Sequence, residues 1–472
     1  MSLEQATSPA GVLAKAGVDL HLELHGTRLR AGLTGALREA VRSGRLAPGT
    51  RLPATRALAE DLGIARSTVT ECYEELVAEG WLNARRGSGT RVADRVQPRR
   101  PKPADDPAPR PQHDLEPGAA GYADFPRAPW LASAKRAVGA APHTAFGYGD
   151  PLGRIELRTA LSEYLNRVRG VYADPAHLVI TSGVHHGLGI AARALRTEGI
   201  DTIAVEAFGL DIYRAVLHDE NVDIPPLMVD TRGARVSDLG DMVEAGAALL
   251  TPAHQFPTGY ALAPERRAHV LEWARRTGGV VLEDDYDGEF RYDRRPIGAL
   301  QGLDPDHVVY FGTASKSIAP ALRLAWMVVP ERLLPAVAHA KGRVDTVSIL
   351  DQLTLSDFIR TGAFDRHVRA RRLVYRRRRD ELAAAVAGRT TGVRLVGMAA
   401  GLQAVVSLPA GTEARVLGAA SRHGLAVAGL SEFLHPAADP EWPSHDAIVV
   451  NFASISDSAW PRAVAALRGI LP

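Results

Sequence analysis

Cysteine is nearly absent from this chain, which has one, Cys72, among its 472 residues. A single cysteine excludes an intramolecular disulfide, so nothing points to an oxidising compartment. The chain also lacks an apolar run of the roughly 18 residues that a membrane span needs. A basic stretch followed by a long apolar segment, which would mark a secretory signal peptide, is missing as well. We therefore expect a cytoplasmic protein without a membrane partner.

An excess of charge of either sign is lacking too, because 56 Lys and Arg residues face 54 Asp and Glu residues for a net charge of +2. A balanced chain carries no global basic field, so any surface for nucleic acid must be local. The composition, with 46% hydrophobic and 23% charged residues, is ordinary for a globular protein. The length exceeds what one core usually holds, which predicts at least two domains.

A change of composition divides the chain at residues 94–120. The stretch DRVQPRRPKPADDPAPRPQHDLEPGAA is rich in proline and has no apolar periodicity, which predicts an extended, semi-stiff linker. The linker separates a small unit, residues 20–93, from a large unit, residues 121–472.

Three amphipathic stretches and a hairpin pattern occupy the small unit. RLRAGLTGALREAVRSGRL, LPATRALAEDLG and IARSTVTECYEELVAEG have the apolar spacing of helices, and WLNARRGSGTRVA predicts two short strands around a turn. Three helices and a hairpin make a winged helix-turn-helix, mainly α with a β-hairpin wing. Its third helix is expected to meet base edges in the major groove, and Cys72 falls on the core side of that helix.

Polar residues of this unit are candidates for DNA contacts. Arg56 on the second helix is placed to reach a backbone phosphate. The basic residues from Arg85 to Lys102 suit phosphates and the minor groove, although a solvated tail explains such a run as well. The candidates at the start of the third helix are Arg66, Ser67, Thr68 and Thr70, and those in the wing are Arg85 and Arg86.

The small unit resembles the DNA-binding domain of the GntR transcription factors. The matching residues are GRLAPGTRLPATRALAEDLGIARSTVTECYEELVAEGWL and the wing RRGSGT. The resemblance implies that the unit binds a double-stranded DNA operator. The residues that it places at DNA are Arg56, Arg66, Ser67, Thr68, Gly87 and Gly89.

In the large unit strands alternate with helices, which predicts an α/β domain with a mainly parallel sheet. Polar stretches follow three apolar runs: TSGVHHGL follows HLVI, EDDYDGEF follows GGVVL, and TASKS follows HVVYFG. Ligands of such sheets collect at the carboxyl ends of the strands. A phosphorylated pyridine aldehyde would use all these groups, because a desolvated lysine forms a Schiff base, a nearby carboxylate keeps the pyridine nitrogen protonated and a helix N-terminus holds phosphate.

The large unit resembles the fold-type I, aspartate aminotransferase-like enzymes that use pyridoxal 5'-phosphate (PLP). The matching stretches are FGYGDPLGRIELRTALSEYL, ITSGVHHGL, TPAHQFPTG, LEDDYDGEFRY and GTASKSIAPALRLAW. The resemblance implies that Lys316 is the catalytic residue and holds PLP as an internal aldimine. It also implies that Asp284 pairs with the pyridine nitrogen, although Asp285 competes for this role and the spacing leaves the choice open. It places Tyr286 by the phenolic oxygen.

The remaining cofactor candidates surround these three residues. Tyr148 is implied to reach in from a neighbouring subunit, and His254 lies in the loop before Pro-Thr-Gly. The residues implied to lie by the phosphate are Ser182, Gly183, Ser315 and Arg323.

Two positions near the ring depart from the aminotransferase pattern. Phe256 stands where an asparagine usually precedes Pro-Thr-Gly, after His254 and Gln255. Leu210 stands where an aromatic residue normally lies near the ring, although Phe208 is two residues away and could serve instead.

A third departure concerns the substrate. Amino-acid-binding members usually carry an arginine three residues before the phenylalanine of the last strand, where it binds the substrate carboxylate. Here that residue is Val449, before Phe452. Valine cannot bind a carboxylate, so we expect that a standard α-amino acid is not recognised in the usual way and that PLP itself is the signal.

The two resemblances together identify the chain as a member of the MocR subfamily of bacterial regulators, some of which control vitamin B6 synthesis. Membership implies a domain-swapped homodimer in which PLP, or PLP with an amino compound, changes operator binding. We therefore predict a PLP-responsive transcriptional regulator. The alternative is an active PLP-dependent aminotransferase with an attached DNA-binding domain; the residues present allow slow half-transamination, but Val449 argues against efficient turnover.

Two further features are expected to carry no function. His185 and His186 lack the neighbouring carboxylates or cysteines of a metal site. Much of the arginine run at 376–379 is expected to be solvated, since successive helical residues point around the axis, and the alternative is a second DNA contact.

Overall fold

The computed structural model describes residues 29–85, 88–94, 111–118, 124–292, 297–389, 392–438 and 446–472. The chain divides into two compact units, Met1–Ala108 and Pro109–Pro472. Within the described ranges, no helix combines the length and the apolar character that a membrane crossing requires.

The small unit is a three-helix core with a β-hairpin. Its elements are α1 (Leu29–Arg42), α2 (Thr55–Leu62), α3 (Arg66–Ala78), β1 (Leu82–Arg85) and β2 (Gly89–Val92). Gly63 ends α2 in the left-handed conformation, which glycine adopts without steric cost. The core buries Leu37, Leu58, Val69 and Cys72, and β1 pairs antiparallel with β2. The predicted winged helix-turn-helix is confirmed.

The large unit contains a seven-stranded sheet in the order β4-β12-β11-β10-β9-β5-β6. Only β12 among these strands runs antiparallel to its neighbours, so the sheet is mainly parallel, as predicted. The first strands of this unit are β3 (His113–Asp114), β4 (Leu178–Thr181), β5 (Ile203–Glu206), β6 (Pro226–Leu227), β7 (Val229–Asp230) and β8 (Gly233–Ala234). They are followed by β9 (Ala247–Leu250), β10 (Val280–Asp284), β11 (Val308–Thr313) and β12 (Ala325–Val328).

Helices cover both faces of this sheet. Alternate residues of β12 enter different cores, since Trp326 and Val328 pack on one side and Met327 on the other. Such strands are apolar along their whole length because both faces are buried. The helices are α4 (Arg127–Ala140), α5 (Ile155–Val168), α6 (Val184–Thr197), α7 (Asp211–Asp219), α8 (Pro264–Thr277), α9 (Ala314–Ser317), α10 (Leu334–Lys341), α11 (Ile349–Arg360) and α12 (Ala363–Val386).

A second, antiparallel sheet follows α12 in the order β13-β14-β17-β16. The remaining elements are β13 (Arg394–Val396), β14 (Gln403–Ser407), α13 (Glu413–Arg422), β15 (Leu425–Ala426), β16 (Ala428–Gly429), β17 (Ala447–Asn451) and α14 (Trp460–Ile470).

The segment 111–118, which the sequence analysis includes in the linker, packs on the large unit. Its strand β3 pairs in parallel with β15, and Leu115 is fully buried. The Asn451 side-chain amide donates to the Glu116 carbonyl oxygen over 3.0 Å. The end of the proline-rich stretch is therefore fixed to the large unit.

The arginine run on α12 differs from the expectation at one position. Arg378 is fully buried. Its Nη1 donates to the Phe452 carbonyl oxygen over 3.0 Å, and its Nη2 to Asp457 Oδ1 over 2.9 Å. Because this residue is the member of the run that faces the core, it is a packing residue rather than a solvated one.

Candidate cofactor cavity and candidate DNA-binding surface

A cavity of about 260 Å³ lies at the carboxyl ends of the central strands. Glu206 ends β5, Thr251 follows β9, Asp284 ends β10 and Thr313 ends β11, and all four line it. Parallel strands bring their carboxyl ends to one edge of a sheet, so residues far apart in sequence meet here.

Lys316 lines this cavity from the short helix α9. The helix is fixed at its start, because Thr313 Oγ1 accepts a hydrogen bond from the Ser315 amide over 3.0 Å. The Lys316 ammonium donates to the Gly118 carbonyl oxygen, and Gly118 lines the cavity as well. Burial lowers the pKa of Lys316, while the negative charge of Asp284 partly opposes that shift. A lysine with a lowered pKa is a better nucleophile near neutral pH.

Asp284 and Asp285 point in opposite directions, as adjacent residues at a strand end do. Asp285 forms a bidentate ion pair with Arg169, at 2.7 Å from Nε and 2.9 Å from Nη2, and accepts from the Tyr310 hydroxyl at 2.8 Å. Asp284 lines the cavity, and its Oδ1 is buried with no hydrogen-bond partner in the described part of the chain. Of the two acids, only Asp284 offers the cavity an acceptor that needs a donor.

Burial raises the pKa of Asp284 to about 7, and a hydrogen bond with Tyr213 opposes that rise. Tyr213 comes from α7 and also lines the cavity. The sequence alone selects Leu210 and Phe208 as the candidates near the ring and misses this tyrosine, which lies three residues after Leu210.

Gly183 and Arg323 lie next to each other at another side of the cavity. Gly183 precedes α6 with φ +125°, and a Cβ atom there would lie 2.7 Å from Arg323 Nη2. The guanidinium therefore sits against the N-terminus of a helix, where unpaired amide groups and the helix dipole favour an anion. Ser315 lines the cavity, whereas Ser182 does not and has its Oγ 3.0 Å from His186 Nδ1.

Tyr286 lines the cavity and belongs to a buried polar network. Gln403 Nε2 donates to the Tyr286 hydroxyl over 2.8 Å. His254 Nδ1 lies 3.1 Å from the same hydroxyl and 2.8 Å from Asp287 Oδ2. His254 is therefore behind Tyr286 rather than in the cavity wall.

Of the residues that depart from the aminotransferase pattern, those near the ring line the cavity and Val449 lies in an apolar cluster. Phe256 lines the cavity and meets the Tyr286 ring edge to face, with centroids 6.0 Å apart. Leu210 and Phe208 both line the cavity. Val449 is buried in an apolar cluster with Phe208, so no cation stands at its position.

Other cavity residues were missed by the sequence analysis. Glu206 is buried, accepts from the Thr251 hydroxyl over 2.5 Å, and has its pKa raised to about 7 by burial. Arg214 is a cation in the wall whose Nη1 donates to the Gly209 and Phe433 carbonyl oxygens. Glu206 ends a strand, which was a usable signal, whereas Arg214 gave none.

Tyr148 lies outside the cavity of its own chain. Its side chain is 93% exposed. The role implied for it, at a neighbouring subunit, stays a prediction.

The lining residues fit the PLP that the resemblance implies. Asp284 Oδ1 is a buried acceptor that no donor of the described residues reaches, burial lowers the pKa of the Lys316 amine, and the Arg323 guanidinium faces a helix N-terminus. These features match a protonatable ring nitrogen, an aldehyde and a phosphate, respectively. The cavity can thus hold an amine-reactive, anionic ring compound.

In the small unit the candidate DNA-binding residues lie on one helix start and in the wing. Arg66 and Ser67 are exposed in the first turn of α3, and Thr68 and Thr70 are half-buried. The Thr70 hydroxyl donates to the Arg66 carbonyl oxygen of its own helix over 3.0 Å. Ala65 precedes α3 without a side-chain cap. The Thr68 amide donates to the Ala65 carbonyl oxygen over 3.0 Å, so the Arg66 and Ser67 amides are the ones that remain available to a phosphate.

Arg56 and the wing are exposed as well. Arg56 forms an ion pair with Glu60 of the same helix at 2.9 Å. Arg85 ends β1, and Gly89 has φ +83° at the start of β2. A Cβ at Gly89 would lie 3.1 Å from Arg51 Nε, so Arg51 is a further basic residue at the wing. Arg86 and Gly87 lie outside the described residues.

Comparison with known proteins matches the small unit and the large unit to two different families. Residues 29–92 match the bacterial regulatory proteins of the gntR family, and residues 120–467 match the aminotransferases of class I and II. The pyridoxine biosynthesis transcriptional regulator PdxR of Corynebacterium glutamicum is 30% identical over 416 residues, which cover 86% of this chain and 89% of that protein. The probable rhizopine catabolism regulatory protein MocR of Rhizobium meliloti is 34% identical over 365 residues, which cover 72% and 74%.

Solved structures show the fold of the large unit. The kynurenine aminotransferase of Pyrococcus horikoshii superposes with a TM-score of 0.66 at 22% identity, covering 76% of this chain and 90% of that one. The predicted fold-type I aminotransferase architecture is confirmed.

Proposed function

We propose a function from the premise that this chain belongs to the MocR subfamily of GntR-type transcriptional regulators, in which a helix-turn-helix domain is joined to an aminotransferase class I and II domain. The protein is a DNA-binding regulator whose operator affinity changes when PLP binds covalently to Lys316. The observation that carries the proposal is that Lys316 lines the same cavity as Asp284 Oδ1, a buried acceptor with no hydrogen-bond donor among the residues that the structure describes.

PLP supplies an aldehyde that condenses with an amine and a pyridine ring that withdraws electrons. Lys316 provides the amine, and Asp284 accepts the hydrogen of the pyridine nitrogen. Tyr286 hydrogen-bonds the ring oxygen, while Gly183, Ser315 and Arg323 bind the phosphate. We also propose residues 20–93 as the DNA-binding domain, 94–120 as the linker, whose end at 111–118 packs on the large unit, and 121–472 as the effector domain.

The Gly118 carbonyl offers a physical connection between the cavity and the linker. Gly118 belongs to the segment 111–118 at the end of the proline-rich stretch, and its carbonyl oxygen accepts from the Lys316 ammonium. A Lys316 nitrogen that is bonded to an aldehyde carbon has fewer N–H groups to donate. Cofactor binding therefore alters a contact at the point where the chain enters the large unit.

PLP alone, without a standard α-amino acid, is the proposed effector. Val449 lies in an apolar cluster with Val405 and Leu430, where it can give a carboxylate no hydrogen bond. The name of the C. glutamicum relative, a pyridoxine biosynthesis regulator, supports target genes of vitamin B6 synthesis.

The assembly that we propose is a domain-swapped homodimer, which predicts paired operator half-sites. Apolar side chains left exposed on the large unit support a second copy as partner. They are Phe146, Tyr148, Ile155 and Leu350.

Absorbance and DNA binding of the full-length protein test the proposal together. PLP should give the visible band of an imine, borohydride should fix the cofactor on Lys316, and the affinity for a duplex selected by the protein from a random pool should change by about 5- to 150-fold. Lys316→Ala should abolish both responses, whereas Lys135→Ala, at an exposed lysine of α4, should keep them.

An imine band without any change in DNA affinity would contradict a PLP-responsive regulator. Steady release of keto acid from added amino acids would favour the aminotransferase instead. If Lys316→Ala keeps both the imine band and the change in DNA affinity, the covalent site lies elsewhere.

A further inference from the structure

Arg214 differs from the other buried arginines in the described part of the large unit. Its one ion pair with a described residue joins Nε to Asp211 Oδ1 over 3.5 Å, and the Asp211 side chain is 84% exposed. The other three each have a carboxylate oxygen within 2.9 Å: Arg158 pairs with Asp150, Arg169 with Asp285 and Arg378 with Asp457. Because buried charges are normally paired closely, Arg214 lacks a counter-charge that its environment calls for.

The hydrogen bonds of Arg214 use one of its three side-chain nitrogens. Nη1 donates to the Gly209 carbonyl oxygen over 3.3 Å and to the Phe433 carbonyl oxygen over 3.2 Å. Nε is buried without a hydrogen-bond partner among the described residues, and Nη2 forms no hydrogen bond with them either. The edge of the guanidinium that carries Nε and Nη2 therefore has donors to give.

Arg169 shows which group such an edge binds in this protein. Its Nε and Nη2 donate to the two oxygens of Asp285 over 2.7 Å and 2.9 Å. Two parallel N–H groups match the two oxygens of a planar carboxylate, so this pairing is geometrically specific. Arg214 offers the same edge, and Asp211 does not meet it in that geometry.

The electrostatics of the two arginines differ in the same sense. Burial lowers the pKa of Arg169, but Asp285 and the other acceptors around it raise that pKa overall. Burial also lowers the pKa of Arg214, and the opposing effect of Asp211 does not offset it. A carboxylate bound at Arg214 would supply the negative charge that is missing.

The position of Arg214 makes it accessible to a ligand of the cavity. It lies in the first turn of α7 and lines the cavity. Leu210 precedes this helix without a side-chain cap, so the first amides of α7 add to the positive potential. Phe208, Leu210 and Ile212 line the same cavity with apolar side chains. These surroundings suit a carboxylate on a small apolar body.

We propose that Arg214 binds the carboxylate of a small organic acid in the cavity, with Nε and Nη2 donating to its two oxygens. The exposed Asp211 carboxylate is the group that the ligand displaces. The site goes beyond the proposed function, which assigns the PLP phosphate to Arg323 and gives Arg214 no role. It also differs from the usual aminotransferase carboxylate site, because it lies on α7 and not in the last strand, where Val449 stands.

Binding of butyrate to the full-length protein tests the site, with butanamide as the neutral ligand of similar shape. Both are titrated at constant ionic strength and followed by saturation-transfer NMR of the ligand. The titration is run with PLP and again with inorganic phosphate, so that an oxyanion competes for Arg323 in both. Butyrate should bind about tenfold more tightly than butanamide or better, because the amide lacks the charge and the second acceptor oxygen.

Variants of α7 should change butyrate binding in opposite directions. Arg214→Gln should weaken it about tenfold or more, and Arg214→Lys should weaken it less, because the charge remains while the two-pronged donor is lost. Asp211→Asn should strengthen it a few-fold, since the competing carboxylate is gone. Asp219→Asn, at an exposed acid in the last turn of the same helix, is the matched control and should change nothing.

Asp211→Asn alters no buried group, so a folding defect cannot explain its effect. Equal binding of butyrate and butanamide overturns the inference, as does a butyrate affinity that Arg214→Gln leaves unchanged. Equal changes in Asp211→Asn and Asp219→Asn would reflect general electrostatics and overturn it as well. Butyrate binding with the expected order of variants, in a protein that forms no imine band with PLP, supports this inference while the proposed function fails.

Discussion

The two units place their candidate functional side chains in opposite environments. Arg56 and Arg66 of the small unit are exposed, whereas Lys316 and Asp284 of the large unit line a cavity and Asp284 is 3% exposed. An exposed charge stays solvated until its ligand arrives, so its effect on binding depends on salt. A buried charge is already desolvated before its ligand binds, and its effect on binding depends on pH because burial shifts its pKa.

The starts of two helices show the same contrast. Thr313 caps α9 with its side chain, which fixes Lys316 one turn away. Ala65 gives α3 no such cap. The capped start holds a reactive group in one orientation, and the uncapped start leaves amides that a DNA phosphate can use.

The largest expected effect concerns the buried acid. Asp284→Asn should weaken PLP binding by about 100-fold or more, because a buried ring nitrogen loses its charge partner. The variant should also change the pH dependence of stability in the absence of PLP. The pKa of Asp284 is raised from 3.8 to about 7 by burial, so its contribution to stability is present at low pH and is lost as pH rises across that interval.

Above neutral pH without PLP, Asp284→Asn should therefore be more stable than the wild type. The neighbouring variant Asp285→Asn is the contrast, because it breaks the ion pair with Arg169 and should lower the free energy of unfolding. Denaturation of each variant at pH 5 and pH 8 measures its free energy of unfolding, and titration with PLP measures its affinity for the cofactor. Equal PLP affinity of Asp284→Asn and the wild type would contradict the assignment of Asp284.

The sequence predicts the two folds well because both rest on periodicity and turn residues. Residues at strand ends, such as Lys316 and Asp284, are also found from sequence, since parallel strands bring their ends together. The choice between Asp284 and Asp285 needs the phase of β10, which the residues EDD do not fix. The burial of Arg378 and the location of His254 behind Tyr286 depend on tertiary packing, which no local pattern encodes.

A smaller effect is expected in the small unit. Arg66→Ala should weaken binding of the selected duplex by about tenfold or more, the discrimination that one base contact provides. PLP titration should be unchanged, because the substitution leaves the cavity intact. Arg42→Ala, at an exposed arginine paired with Glu39 at the end of α1, is the control. An equal loss in both variants would indicate general electrostatics rather than recognition.

The smallest effect is expected at Arg56, whose ion pair with Glu60 competes with a phosphate. Arg56→Ala should weaken duplex binding a few-fold. It should also make the slope of the logarithm of the binding constant against the logarithm of the salt concentration shallower by about 0.9. Glu60→Ala should act oppositely and strengthen binding, because it releases Arg56 and removes a negative charge near DNA. Binding measured between low and high salt separates the two variants. A slope unchanged by Arg56→Ala would place this arginine away from the backbone and leave the uncapped start of α3 as the anchor.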